Sequence, residues 1–313
     1  MTATWLDRPR SAESAASRLR ALVERRSACA APGAYDGISA LLAKQAGFEA
    51  LYLSGAAFSA SMALPDLGLF TLGEVANKAR EIVRASDLPL IVDCDTGFGE
   101  ALNVMHTVRV MEEVGAACVQ IEDQQLPKKC GHLNDKRLVP MEEMCRKVAA
   151  AKRASTGILI CARTDAAASS LDDALTRATA YHRAGADIIF LEALSTRQDI
   201  VRTRTAIKAP LLANMTEFGR TPQLSLKDWD EAGYELVIFP ASAFRVATGA
   251  VQRFYASLRR DGHVKEHLPH MMTRAELYDT IGYYDYEALD STLIQSVVRE
   301  LRATPPRRRL RVA

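Results

Sequence analysis

The chain has 313 residues, 48% hydrophobic and 25% charged, with a net charge of +2, the composition of a globular protein with ample core and no electrostatic reason to bind nucleic acid or an anionic membrane. No apolar run reaches the roughly 18 residues that span a bilayer, and residues 1–26 lack the continuous apolar stretch of a signal peptide, while Asp7, Glu13 and Glu24 argue against a transit peptide. Six cysteines without regular spacing suggest no disulfide framework and point to a reducing cytoplasm.

In chain order, short and nearly continuous apolar runs predict strands at 29–32, 50–54, 88–95, 117–123, 157–164, 188–192, 211–216 and 236–242. Such runs suit parallel strands covered on both faces. Amphipathic patterns between them predict helices at 38–46, 72–84, 101–114, 141–153, 171–184 and 243–259, and Gly47, Gly115 and Gly185 stand where helices stop. Eight such units predict a (β/α)8 barrel. A doubly wound open sheet is the rival, but Pro32-Gly33-Ala34-Tyr35-Asp36-Gly37 lacks the glycine spacing of its phosphate loop. Residues 1–27 read as an N-terminal extension or helix, 28–260 as the catalytic barrel, and 261–313 as a C-terminal helical segment with a basic tail. In that segment Thr273 is a helix cap three residues before Glu276, and the tail Arg307-Arg308-Arg309-Leu310-Arg311 reads as a solvated charge run.

Barrel active sites gather at the C-terminal ends of the strands. Here those ends read Tyr52-Leu53-Ser54-Gly55, Asp93-Cys94-Asp95, Gln120-Ile121-Glu122-Asp123, Ala162-Arg163-Thr164-Asp165, Leu191-Glu192 and Asn214-Met215-Thr216-Glu217, with Ser242 and Arg245 after the eighth strand. Polar groups on so many apolar strands are costly to bury without a task. Asp93 and Asp95 share a strand face; they suit Mg²⁺, or they cap neighbouring loop amides. Arg163 and Arg245 suit bidentate carboxylate contacts, with a structural salt bridge to Asp165 or Glu192 as the alternative for Arg163. By spacing alone Arg274 is a surface residue and Tyr52 is equally a core tyrosine. In Lys128-Lys129-Cys130-Gly131-His132 the neighbours favour a thiolate, whereas Cys29, Cys94, Cys118 and Cys161 sit in apolar runs as core residues. His132 reads as a base, a thiolate partner or a loop hydrogen bonder.

Together with Leu64-Pro65-Asp66-Leu67-Gly68, Thr96-Gly97-Phe98-Gly99 and Thr273-Arg274, these motifs resemble the isocitrate lyase/phosphoenolpyruvate mutase superfamily over roughly Pro32 to Leu289, and the Lys-Lys-Cys-Gly-His loop resembles its lyase branch. The resemblance implies a (β/α)8 barrel whose C-terminal helices are exchanged between subunits of a homotetramer, a dimer of dimers. It implies Mg²⁺, or Mn²⁺ in its place, held by Asp93 and Asp95, with Asp66 and Glu122 acting through water. Ser54, Gly55, Ala56, Arg163, Glu192, Asn214, Met215, Thr216, Arg245 and Arg274 are then the substrate contacts. The implied reaction splits 2-methylisocitrate into pyruvate and succinate, with Cys130 giving a proton to the carbanion, Tyr52 as a phenolate base, and Gly131 and His132 on a closing loop. Lyases of isocitrate, 2,3-dimethylmalate or another 2-hydroxy diacid, an oxaloacetate-type hydrolase, and a non-catalytic metabolite-binding barrel are the alternatives.

Overall fold

The computed structural model describes residues 4–7, 12–133 and 135–303, with side chains up to residue 295; the basic tail at 307–311 and most of the first eleven residues lie outside these. The described chain divides into two compact units. One comprises the described residues from 12 to Gly262, and the other holds residues 4–7 together with the segment from His263 onward.

Among the described residues of the first unit, eight parallel strands form one sheet: β1 (Cys29–Pro32), β2 (Leu51–Leu53), β3 (Leu90–Asp93), β4 (Cys118–Glu122), β5 (Leu159–Thr164), β6 (Ile188–Leu191), β7 (Leu211–Asn214) and β8 (Leu236–Phe239). Their order is β1-β8-β7-β6-β5-β4-β3-β2, and a parallel bridge from Gly33 to Tyr52 joins β1 to β2 and closes the ring. The expected (β/α)8 barrel is the fold observed.

Because side chains alternate along a strand, the barrel has two cores. Leu51, Leu53, Val92, Val119, Ile121, Ile160, Ile189 and Val237 point outward and pack beneath the surrounding helices. Tyr52, Ile91, Cys118, Cys161, Phe190, Leu212 and Ile238 fill the interior, whose floor is sealed by Leu19, Leu22 and Val23 of α1 (Ala15–Glu24). Helix entry is set by side-chain caps: Asp36 with Ser39 opens α2 (Gly37–Gln45), Ser54 opens the short α3 (Gly55–Ser61), and Thr71 with Glu74 opens α4 (Leu72–Ser86). Gly47, Gly115 and Gly185 take positive φ of 88°, 85° and 118° just past their helices, as their spacing predicts. Six strands, β2, β3, β4, β6, β7 and β8, end one to three residues before the apolar runs suggest, so Asp95 lies just past β3 rather than on it. Ser54 and Ser242 are already helix residues or caps, the latter opening α5 (Ser242–Asp261), and Thr216 lies beyond β7.

In the second unit Thr273 and Glu276 form the expected capping box on α6 (Arg274–Ile281), which is followed by α7 (Tyr283–Ala303). Tyr278 stacks on Tyr283 with ring centroids 4.4 Å apart. No described helix is long and apolar enough to cross a membrane.

Candidate active site

The alternation that builds the inner core also builds the site. Two residues beyond Ile91, Cys161, Phe190 and Leu212 come Asp93, Arg163, Glu192 and Asn214, and two beyond Cys118 and Gln120 come Gln120 and Glu122. All therefore point inward at the C-terminal rim. There they meet Tyr52, Ser54, Ala56, Asp66, Thr216 and Arg245, and the loop residues Lys128–His132, around a small cleft of about 70 Å³.

One wall is acidic. Asp93 accepts from the Asp95 amide (3.2 Å), the Gly55 amide (3.2 Å) and Gln120 Nε2 (3.1 Å), so part of its role is the loop capping weighed above. Asp95 differs: its Oδ2, and Oε1 of Glu122, are buried without a hydrogen-bond partner among the described residues, while Asp95 Oδ1 and Glu122 Oε2 meet only the ion pairs to Lys128 and Arg163. Into this cluster reaches the Lys128 ammonium, ion-paired to Asp66 and 2.7 Å from Asp95. Burial pushes the Asp95 carboxyl up to about 7 and raises Glu122 well above the usual carboxylate range. Burial also opposes the charge on Lys128, but Glu122, Asp95, Asp93 and Asp66 outweigh it and hold the lysine protonated. Ionised, these four acids outnumber the ammonium they share, so a bound cation would favour their charged forms over the neutral forms that burial favours. An all-oxygen set with unpartnered buried atoms fits a hard divalent cation. Among the described residues no three His, Cys, Asp or Glu side chains are grouped closely enough to chelate a metal directly.

Beside these acids, on the neighbouring strand and in register with Glu122, stands Arg163. Arg163 grips Asp165 in bidentate fashion (Nε–Oδ2 2.9 Å, Nη2–Oδ1 3.0 Å) and makes looser Nη1 contacts to Glu122 (3.3 Å) and Glu192 (3.4 Å). The structural salt bridge and the cleft-facing role thus coexist. Burial pushes the Glu192 carboxyl up, but the Arg163 charge, His132 and Asn214 outweigh it and hold it down to about 2. Arg245 lines the cleft and is anchored to Glu217 through its carbonyl (2.8 Å) and carboxylate (3.0 Å).

Over these walls lies the loop that carries Cys130, and four readings from sequence need correcting. The Cys130 thiol is not biased toward thiolate: burial pushes its pKa up, Asp66 and Glu192 add to this, and Lys128 is committed to the acids. His132 is not its imidazole partner; Nε2 faces Glu192 at 3.2 Å and Nδ1 accepts from the Arg220 amide at 3.0 Å. Tyr52 is not a phenolate. It is fully buried, burial and Asp93 raise its pKa well above 10, and its hydroxyl donates to Gln120 Oε1 at 2.7 Å. Met215 follows the outward alternation into the outer core and takes the Leu224 amide on its sulfur at 3.4 Å, away from the cleft. Among the core cysteines, Cys94, Cys118 and Cys161 are buried, but Cys29 is only partly so.

Gly55 spends its amide on Asp93, and a Cβ there would stand 3.1 Å from both Asp93 and Asp95, so its smallness lets the two carboxylates close up. Arg274 opens α6 in the second unit. Sequence reasoning passed over Gln120, which links Tyr52 to Asp93, although its inward register was visible. It also passed over the ammonium groups of Lys128 and Lys136, for which no local signal exists.

A family model described as phosphoenolpyruvate phosphomutase matches residues 19–259. The chain is 50% identical over 297 residues to a 2-methylisocitrate lyase of Bacillus subtilis (strain 168), covering 94% of this chain and 99% of that one. A solved 2,3-dimethylmalate lyase, of the phosphoenolpyruvate mutase/isocitrate lyase superfamily, superposes with a TM-score of 0.85 at 35% identity, covering 90% of this chain and 96% of the other. A phosphonopyruvate hydrolase solved with oxalate and Mg²⁺ gives a TM-score of 0.81 at 32% identity, over 89% and 99% of the two chains. With its inward acids and its Cys130 loop on a closed (β/α)8 barrel, the chain belongs to the phosphoenolpyruvate phosphomutase family.

Proposed function

We propose that the chain is a 2-methylisocitrate lyase, splitting its substrate into pyruvate and succinate. The observation that carries this reading is that Cys130, whose burial favours the thiol over the thiolate, lines the same cleft as the carboxylates of Asp66 and Asp93 and the guanidinium groups of Arg163 and Arg245. The near-full-length likeness to a relative of that name supports it.

Asp93 and Asp95, with Asp66 and Glu122 through water, are the residues that would hold Mg²⁺, or Mn²⁺ in its place. When bound, the ion would act as a Lewis acid toward the substrate hydroxyl and neighbouring carboxylate. Ser54, Ala56, Asn214, Thr216, Arg163 and Arg245 orient the carboxylates, and the looser Nη1 contacts of Arg163 are the ones a substrate carboxylate replaces. Cleavage passes the hydroxyl proton to a carboxylate of the acidic cluster, forms the carbonyl of pyruvate, and leaves the bonding electron pair on the carbon that becomes succinate. Arg163 and Asn214 face that developing charge. The Cys130 thiol then gives its proton to the carbon, as general acid; one proton lost and one gained leave the reaction balanced. The loop keeps water from the carbanion. Tyr52, neutral, orients Asp93 through Gln120.

The same reading makes the enzyme a cytoplasmic homotetramer in propionate breakdown through the methylcitrate cycle, with Arg274 supplied by exchanged C-terminal helices and no nucleic acid or membrane as partner. The test is product release from 2-methylisocitrate, isocitrate and 2,3-dimethylmalate side by side, with and without Mg²⁺. Metal-dependent pyruvate from the first, far above turnover of the others, supports the reading; preference for either of the others overturns the substrate assignment.

A further inference from the structure

The Cys130 loop carries the proton donor of the proposed reaction, yet Cys130 has no covalent or helical restraint of its own. Something must hold its turn against the barrel. Gln124 grips the loop at its start, donating to the Lys129 carbonyl (2.8 Å) and accepting from the Lys129 amide (2.9 Å). The far side of the turn is held by Lys136. Its side chain is 5% exposed, and its ammonium donates to the Gly131 carbonyl and, at 2.9 Å, to Asp165 Oδ1.

Asp165 is a shared anchor. The same Oδ1 accepts from Arg163 Nη2 at 3.0 Å, and the Asp165 amide is fixed by Asp123 at 3.0 Å. Asp123 is itself held by the hydroxyls of Thr164 (2.7 Å) and Tyr181 (2.8 Å). One carboxylate oxygen therefore joins the arginine of the cleft to the carbonyl beside the catalytic cysteine. A buried ammonium bonded to a carboxylate and a carbonyl is a charge-assisted tie, stronger than a neutral one.

We propose that Lys136 is a positioning residue that holds the Cys130–Gly131 turn over the cleft and sets its register against Arg163 through Asp165. It touches neither substrate nor reacting atoms. Its loss leaves the barrel residues that bind substrate in place and misplaces the proton donor, so kcat falls while KM changes little. The barrel tolerates the change, because Asp165 keeps Arg163 and its tie to Asp123.

This inference rests on the proposed lyase reading for its kinetic arm only. The experiment measures steady-state pyruvate release and backbone amide exchange of the full-length protein for wild type, Lys136→Met and Lys136→Arg. The Leu133 amide, which donates to the Cys130 carbonyl at 3.0 Å, is the reporter. The expected result for Lys136→Met is a fall in kcat of about tenfold or more with KM within about threefold, since a misplacement near 1 Å costs up to 10²-fold. Leu133 exchange should quicken to a similar degree while β3–β6 amides are unchanged, and Lys136→Arg should restore both. Unchanged exchange in Lys136→Met overturns the proposal whatever the activity, and so does faster exchange with unaltered kcat. A Lys136→Met chain that fails to fold beside a folded Lys136→Arg makes the lysine a folding element and likewise overturns it. If wild type releases no pyruvate, the lyase reading fails and the exchange comparison still decides the role of Lys136 in the loop.

Discussion

Gly131 is the position where one methyl group should do the most damage. Its φ lies outside the left-handed region, so backbone freedom is not what glycine provides there. Space is. A Cβ at Gly131 would stand 2.2 Å from Glu192 Cγ, 2.5 Å from Arg163 Nη2 and 2.8 Å from Glu192 Cδ. Ordinary contact begins at 3.4 Å, so the nearest pair is about 1.2 Å too close. Neither neighbour can yield cheaply. Glu192 is fixed by Arg163, His132 and Asn214, and Arg163 by its bidentate bond to Asp165. The loop must lift instead, carrying Cys130 by about 1 Å, a displacement that costs on the order of 10²-fold in rate, or about 2.7 kcal/mol of activation free energy. Steady-state pyruvate release by Gly131→Ala should show kcat down on the order of 10²-fold with a small change in KM. Melting should stay close to wild type, since the loop lies outside both cores. A kcat within about threefold of wild type would refute the reasoning, because it would mean that the loop need not pack on the Arg163–Glu192 pair for turnover.

Two further perturbations probe the walls of the cleft. Lys128→Met removes the ammonium shared by Asp66 and Asp95; breaking a buried ion pair costs about 3–5 kcal/mol, so the metal-free variant should melt lower and gain more than wild type from added Mg²⁺, and equal Mg²⁺-induced shifts in the two proteins would contradict this. Glu192 is ionised with its pKa held near 2 against an ordinary 4.5. The stability it contributes is therefore fully present above pH 4.5 and is lost as pH falls from there toward 2, because the unfolded carboxyl takes up its proton first. Urea denaturation across that window should show a shallower decline for Glu192→Gln than for wild type, and parallel declines would count against the depressed pKa.

The barrel and most of its rim were legible in the sequence because both follow from a period of two. Apolar runs fixed the strands, and the inward register carried Asp93, Glu122, Arg163, Glu192 and Asn214 to one place. Met215 stood in the same motif as Asn214 and Thr216 but on the opposite face, and a strict count of alternation would have sent it to the outer core. Strand ends at Ser54, Thr216 and Ser242 were overdrawn because apolar runs continue into caps and turns that only backbone hydrogen bonding delimits. Ionisation was the least legible property. Basic neighbours in sequence suggested a thiolate at Cys130, but in space Lys128 belongs to the acids and burial dominates the thiol. Tyr52 shows the same gap: its place at the cleft was readable, its neutral state depended on burial and on Gln120, 68 positions away in the chain. Lys136 left no trace, since a loop lysine looks alike whether it is solvated or tied to Asp165.

The central claim is that the Cys130 thiol delivers the proton that completes succinate. The most direct measurement is turnover of 2-methylisocitrate by Cys130→Ser, alongside Mg²⁺ binding by calorimetry and a melting curve. A hydroxyl is a much weaker acid than a thiol, so the account predicts loss of most turnover, on the order of 10²–10⁴-fold for a missing general acid, with Mg²⁺ affinity and melting as in wild type. Turnover near wild type, with fold and metal binding intact, would contradict it and take the cysteine out of the mechanism.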